Sequence, residues 1–145
     1  MTPEQKHLVQ TSFAQVLSIS DIAAEMFYTQ LFRMDPTLIR LFKGEMREQG
    51  QKLMYALRLA VSGLDRLDKV APALETLGRK HAEYGVEDKD YETVGAAFIA
   101  TLEKGLGPGF TPEIREAWRA VYDLLASIMR DAAKAPSAVG KHVAA

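Results

Sequence analysis

"DPTLIRLF", Asp35 to Phe42, is the stretch on which the fold of this chain turns. Asp35-Pro36 ends the helical pattern that precedes it, because proline lacks the amide that continues a helix and biases its predecessor toward extended backbone. The same pair opens a new helix: the carboxylate accepts from exposed amides, and proline tolerates the first turn. "PTLIRLF" then runs for barely two turns. A helix so short argues against a regular four-helix bundle with equal arms.

Upstream, "TPEQ" offers Thr2 as N-cap, Pro3 at the first helical position and Gln5 to close a capping box, predicting a helix to about Leu17. After "SISD", the apolar residues Ala23, Met26, Phe27, Leu31 and Met34 recur at spacings of three and four, the mark of a second amphipathic helix. Downstream, a polar connection "KGEMREQG" leads to a stripe of Leu53, Leu57, Ala60, Val61 and Leu64, which predicts a long helix to the mid-sixties with Gly63 near its end. Asp68 is read as the cap of the next helix, which carries "LGRKHAEYGV". Gly85 and the acids of "EYGVEDKDY" end it.

Val94, Ala97, Phe98, Thr101 and Leu102 share a face of the following helix, and "GLGPGFTP" terminates it. Thr111-Pro112 starts a last one, in which Trp118, Val121, Leu125, Ile128 and Met129 recur for about four turns. "AKAPSAVGKHVAA" loses every pattern, so residues 1–134 are expected to form one domain and 135–145 a frayed tail. Seven helical segments without β-alternation predict an all-α fold.

The 145 residues suit a single domain with one core. Zero cysteines exclude disulfides, thiolate metal sites and cysteine nucleophiles, so any metal must take nitrogen or oxygen ligands. The N-terminus lacks a basic region followed by an apolar run, and no segment approaches the about 20 apolar residues of a membrane span; the expected location is cytoplasmic, with no membrane partner. A net charge of -1 with interleaved acids and bases leaves no footprint for nucleic acid.

Of the three histidines, His7 lies in the first turns of the N-terminal helix and His142 in the expected tail. His81 alone is placed inside, with Leu77 four residues before it and Tyr84 three after it on one helical face. A buried imidazole costs stability unless its nitrogens find partners, though a lone histidine on an apolar face is more often a hydrogen-bonded boundary residue than a ligand. Other motifs carry less. Glu4 and His7 make one Glu-x-x-His pair where a di-iron bundle needs two, "GLGPG" lacks the strand and lysine of a phosphate loop, and "EDKD" lacks the glycine and terminal glutamate of a calcium loop.

Taken together, the order of several residues is more specific. Tyr28 stands in "MFYTQLF", Phe42 in "LIRLFKG", Gln49 and Leu53 in "EQGQKLM", His81 in "GRKHAEYGV" and Tyr91 in "DYETVG". This order resembles the bacterial single-domain globins and the haem domain of flavohaemoglobins, from about Glu4 to Met129. The resemblance implies a globin fold, a three-over-three helical sandwich carrying haem b. It implies that His81 is the proximal iron ligand, that Phe42 wedges the porphyrin, and that Leu53, Leu77, Val86, Tyr91 and Lys52 complete the cofactor contacts. Tyr28 and Gln49 would be distal donors to a bound diatomic ligand, with Leu53 as steric control beside them.

One departure stands out. Flavohaemoglobins set a glutamate beside the tyrosine at the position of Tyr91 to polarise the proximal histidine; here its place falls on Ala133, with Asp131 the nearest acid. That weakens the expectation of peroxidase-like chemistry. No flavin or nicotinamide domain is expected in the chain, so reduction would fall to a separate reductase. The implied function is reversible binding of oxygen and other diatomic gases, NO and CO, by a monomer or weak homodimer, with a role in nitric oxide detoxification. Two alternatives stand beside it: a reductase-dependent nitric oxide dioxygenase, and a haem-free sensor or interaction module.

Overall fold

The computed structural model describes residues 1–134; the expected tail and His142 lie outside the described residues. Six α-helices follow one another: α1 (Pro3–Leu17), α2 (Ser20–Met34), α3 (Met46–Ser62), α4 (Leu67–Glu83), α5 (Asp88–Leu106) and α6 (Pro112–Lys134). Short 3₁₀ turns over Pro36–Leu41, Leu64–Arg66 and Gly107–Gly109 link them. No strand occurs among the described residues, and the all-α expectation holds.

Local chemistry accounts for most boundaries. Thr2 and Gln5 form the reciprocal capping box at the start of α1. The Asp35 carboxylate accepts from the Thr37 amide at 3.0 Å and starts the short helix, which is a 3₁₀ turn. The Asp90 carboxylate, 2% exposed, accepts from the Glu87 amide at 2.8 Å at the head of α5, so the acids of "EDKD" do serve as a helix start.

Two readings need correction. Asp68 lies inside the first turn of α4, where it favours the helix dipole; the cap position is Arg66, because the 3₁₀ turn over Leu64–Arg66 feeds straight into the helix. The polar connection before α3 is shorter than expected: helix begins at Met46, and Gln49 already belongs to its first turn. The last helix starts at Pro112, as read, and runs 23 residues to Lys134, where the apolar pattern was expected to end.

α4 packs chiefly on α6, α2 on α5 and α1 on α6. At the centre Trp118 is fully buried, with its ring against Phe13 and Phe98. Its indole N–H donates to the Ser12 hydroxyl at 2.9 Å, which in turn donates to the Leu8 carbonyl at 2.7 Å. A buried indole needs such a partner, and α1 supplies it from 106 residues away. Gly78 of α4 faces the Met129 backbone of α6; an added Cβ would collide with the Met129 carbonyl oxygen and lie 2.7 Å from its Cα. Only glycine permits that approach. It fixes how near α4, and with it His81, stands to the core.

Candidate functional site

His81 occupies the last turn of α4, and the chain beyond it determines how it is held. Gly85 adopts φ 101°, a conformation open to glycine at little cost. The Val86 amide donates back to the His81 carbonyl at 2.9 Å and the Gly85 amide to the Ala82 carbonyl at 3.1 Å, the paired bonds of a Schellman cap. The His81 side chain is fixed from the other direction. Its Nδ1 lies 2.9 Å from the Leu77 carbonyl, which can only accept, so Nδ1 carries the proton and Nε2 keeps its lone pair. Burial holds the pKa of the half-buried ring below the usual histidine range, keeping it neutral near pH 7. A neutral imidazole with a free Nε2 is the form that binds a metal.

The second group of residues lies on α2, the 3₁₀ turn and α3. Tyr28 is 8% exposed and packs among aromatic rings: Phe27 at 5.0 Å, Phe32 at 6.0 Å and Phe42 at 5.3 Å between centroids. Phe32 and Phe42 also meet edge to face at 5.5 Å. α3 comes close to α2 because Gly50 has no side chain; a Cβ there would sit 3.0 Å from that of Ala24. Gln49, next to it, thereby stands beside the Tyr28 hydroxyl. Burial pushes the phenol up to about 12, and the Gln49 amide, as hydrogen-bonding neighbour, partly offsets the rise. Among the described residues no buried side-chain polar atom lacks a partner, and Gln49 is the side chain that meets the Tyr28 hydroxyl.

Leu53, Leu77 and Val86 are half-buried and Lys52 is exposed. α4 packs only sparsely on α3, although both helices carry half-buried leucines. Apolar surface left uncovered between helices suits a flat apolar group, with the Lys52 ammonium free to meet charge at its edge. Tyr91 behaves differently. The Arg130 guanidinium lies 5.8 Å from the centroid of its half-buried ring, and its carbonyl accepts from the Tyr122 hydroxyl. Asp88 pairs with Arg130 at 3.5 Å and Lys134 at 2.9 Å, which hold its carboxyl below the usual range. The charge that meets the Tyr91 ring is therefore cationic. Ala133 carries no carboxylate, and Asp131 is exposed on the outer side of α6.

Phe32, Gly50 and Gly78 contribute to this arrangement without having been singled out in the sequence. For Gly78 a signal existed, since a glycine inside a helical stripe implies close packing. His7 is exposed, as its place in α1 led one to expect, and Glu4 beside it is also exposed.

Among helical folds, this order of elements is that of the three-over-three sandwich. The chain belongs to the globin family, whose model matches residues 25–129. Neuroglobin of Danio rerio is 33% identical over 118 residues, 72% of this chain and 74% of its own. A flavohemoprotein of Halalkalibacterium halodurans is 24% identical over 131 residues, 88% of this chain but 32% of that protein. The chain thus spans about a third of the flavohemoprotein's length. Two solved structures share the fold: a hexacoordinated heme protein from an anhydrobiotic tardigrade (TM-score 0.85, 16% identity, 93% and 96% of the two chains) and a bacterial globin from Campylobacter jejuni (0.83, 22%, 92% and 96%).

Proposed function

We propose that the chain is a haem-b globin that binds diatomic gases reversibly, with His81 as the iron ligand and Tyr28 and Gln49 as donors on the opposite side. The observation that carries this reading is the His81 ring: Nδ1 is committed to the Leu77 carbonyl at 2.9 Å, leaving Nε2 as the free, neutral nitrogen. Haem, when bound, supplies an iron centre at which a small gas can coordinate. Around it, Phe42, Leu53, Leu77, Val86 and Tyr91 supply apolar and aromatic contact, and Lys52 a cation for an acidic edge. The Tyr28 phenol, with its pKa pushed up to about 12, keeps its proton at neutral pH and donates to partial negative charge on a ligand.

The tardigrade neighbour is described as hexacoordinated. Among the described residues of this chain the other histidine is His7, which is exposed on α1, so no second imidazole faces His81. This favours a side left open to gas. Storage, delivery or nitric oxide detoxification would each use that opening. The cation over Tyr91, in place of a carboxylate, weighs against a strongly electron-donating His81 and favours reversible binding over dioxygenase turnover fed by a separate reductase. Absorption spectra of the protein purified with haem, in ferric, ferrous and carbonyl forms, test the proposal. A five-coordinate ferrous spectrum that converts fully on adding CO is expected; failure to retain haem would sink it.

A further inference from the structure

Phe32 stands one turn beyond Tyr28 on α2, so the two rings project from the same side of the helix. They lie nearly parallel, at 29°, with centroids 6.0 Å apart. α2 ends at Met34, and the 3₁₀ turn over Pro36–Leu41 carries the chain back to Phe42, whose amide donates to the Ile39 carbonyl at 3.0 Å. The Phe42 ring thereby lies across both others, at 73° to Tyr28 and 69° to Phe32, with centroids 5.3 and 5.5 Å away. Phe27 adds a further edge contact to Tyr28, at 72° and 5.0 Å.

These contacts restrain more than position. The oxygen of a phenol lies on the axis about which its ring turns, so turning the ring leaves the oxygen in place. The hydrogen, conjugated with the ring, lies in the ring plane and turns with it. The plane of Tyr28 is therefore the plane in which its O–H points. An unsupported ring is free to turn, but with Phe32 alongside and Phe42 crossing both, a turn forfeits more than one ring pairing at once. Phe27 and Phe42 meet Tyr28 at steep angles, and of these rings Phe32 alone runs along it. Phe32 is also half-buried, so replacing it disturbs the core less than replacing a buried ring.

We propose, on the gas-binding reading above, that Phe32 is a positioning residue: it holds the plane of the Tyr28 ring, and with it the direction of the O–H, so that the site favours a bound gas carrying partial negative charge over an equally small one that does not. Phe32→Leu keeps apolar bulk and removes the flat face, whereas Phe32→Tyr keeps the face. In the protein with haem, Phe32→Leu should accelerate oxygen dissociation about three- to tenfold, part of the factor that losing the hydroxyl gives, and leave carbon monoxide dissociation unchanged. Phe32→Tyr should keep the original rate. Combined with Tyr28→Phe, Phe32→Leu should add nothing, because no O–H remains to aim. Flipping of the Tyr28 ring, followed by NMR in the protein without haem, should quicken about two- to tenfold in Phe32→Leu, the factor that corresponds to one aromatic pair. Equal acceleration of oxygen and carbon monoxide, or of oxygen with and without the Tyr28 hydroxyl, marks a structural role and overturns the proposal, as does an unchanged flip rate. Failure to retain haem would overturn the gas-binding reading, while the flip rate still decides whether Phe32 holds Tyr28.

Discussion

Gly78 and Met129 bring α4 and α6 together backbone to side: the place of a Cβ on Gly78 is already taken by the Met129 carbonyl. The obstacle is main chain, so it cannot swing aside. Gly78→Ala should therefore separate the two helices and cost about 1 to 3 kcal/mol, despite the better helix propensity of alanine. His81 lies three residues further along α4 and should move with it. Urea unfolding measures the loss, and weaker haem retention the displacement.

His81→Ala should abolish stable haem retention or leave a spectrum rescued by added imidazole, since no other histidine of the described residues lies in the interior. His7→Ala should leave the Soret band unchanged. The reverse pattern would move the iron site to α1.

Tyr28→Phe keeps the ring among its aromatic neighbours and removes only the hydroxyl. A hydrogen bond to a charge-bearing ligand is worth about 1.5 to 3 kcal/mol, so oxygen dissociation should accelerate by roughly ten to more than a hundredfold. Carbon monoxide, less polar when bound, should be nearly unaffected. Gln49→Leu should act in the same direction, and the pair should be non-additive if both donors serve one ligand. Stopped-flow dissociation rates decide it.

The same phenol gives an alkaline signature in the protein without haem. Its pKa is raised from 10.0 to about 12, so folding favours the protonated form. That stabilisation is complete below pH 10 and is lost as the pH rises toward 12, amounting to about 2 to 3 kcal/mol in all. Tyr28→Phe should flatten this part of the stability curve. Tyr122, raised further still by burial, should leave a residual slope.

Ser12→Ala should destabilise by about 1 to 3 kcal/mol, because the buried Trp118 indole loses its acceptor. Ser12→Ala with Trp118→Phe should cost less than the two single changes summed, as the second removes the stranded donor. Thermal unfolding of the four proteins completes the cycle.

Helix positions were legible because caps and stripes are local: Thr2, Asp35 and Gly85 act within a few residues of where they stand. Asp68 misled for the same reason, since nothing near it tells that a 3₁₀ turn would run into α4. The pairing of Tyr28 with Gln49 and of Gly78 with Met129 depends on which helices meet, and periodicity records only which face is apolar. Likewise "DYETVG" identifies Tyr91, but the cation over its ring comes from α6, 39 residues later.

The cap that closes α4 has a consequence for assembly. His81 is held through its ring by Leu77 and through its carbonyl by Val86, so both restraints come from a ten-residue segment. Its orientation can arise as soon as that corner forms, before the distant helices dock. A metal-bearing guest then meets a ring already aimed, and little rotational freedom is left to surrender on capture.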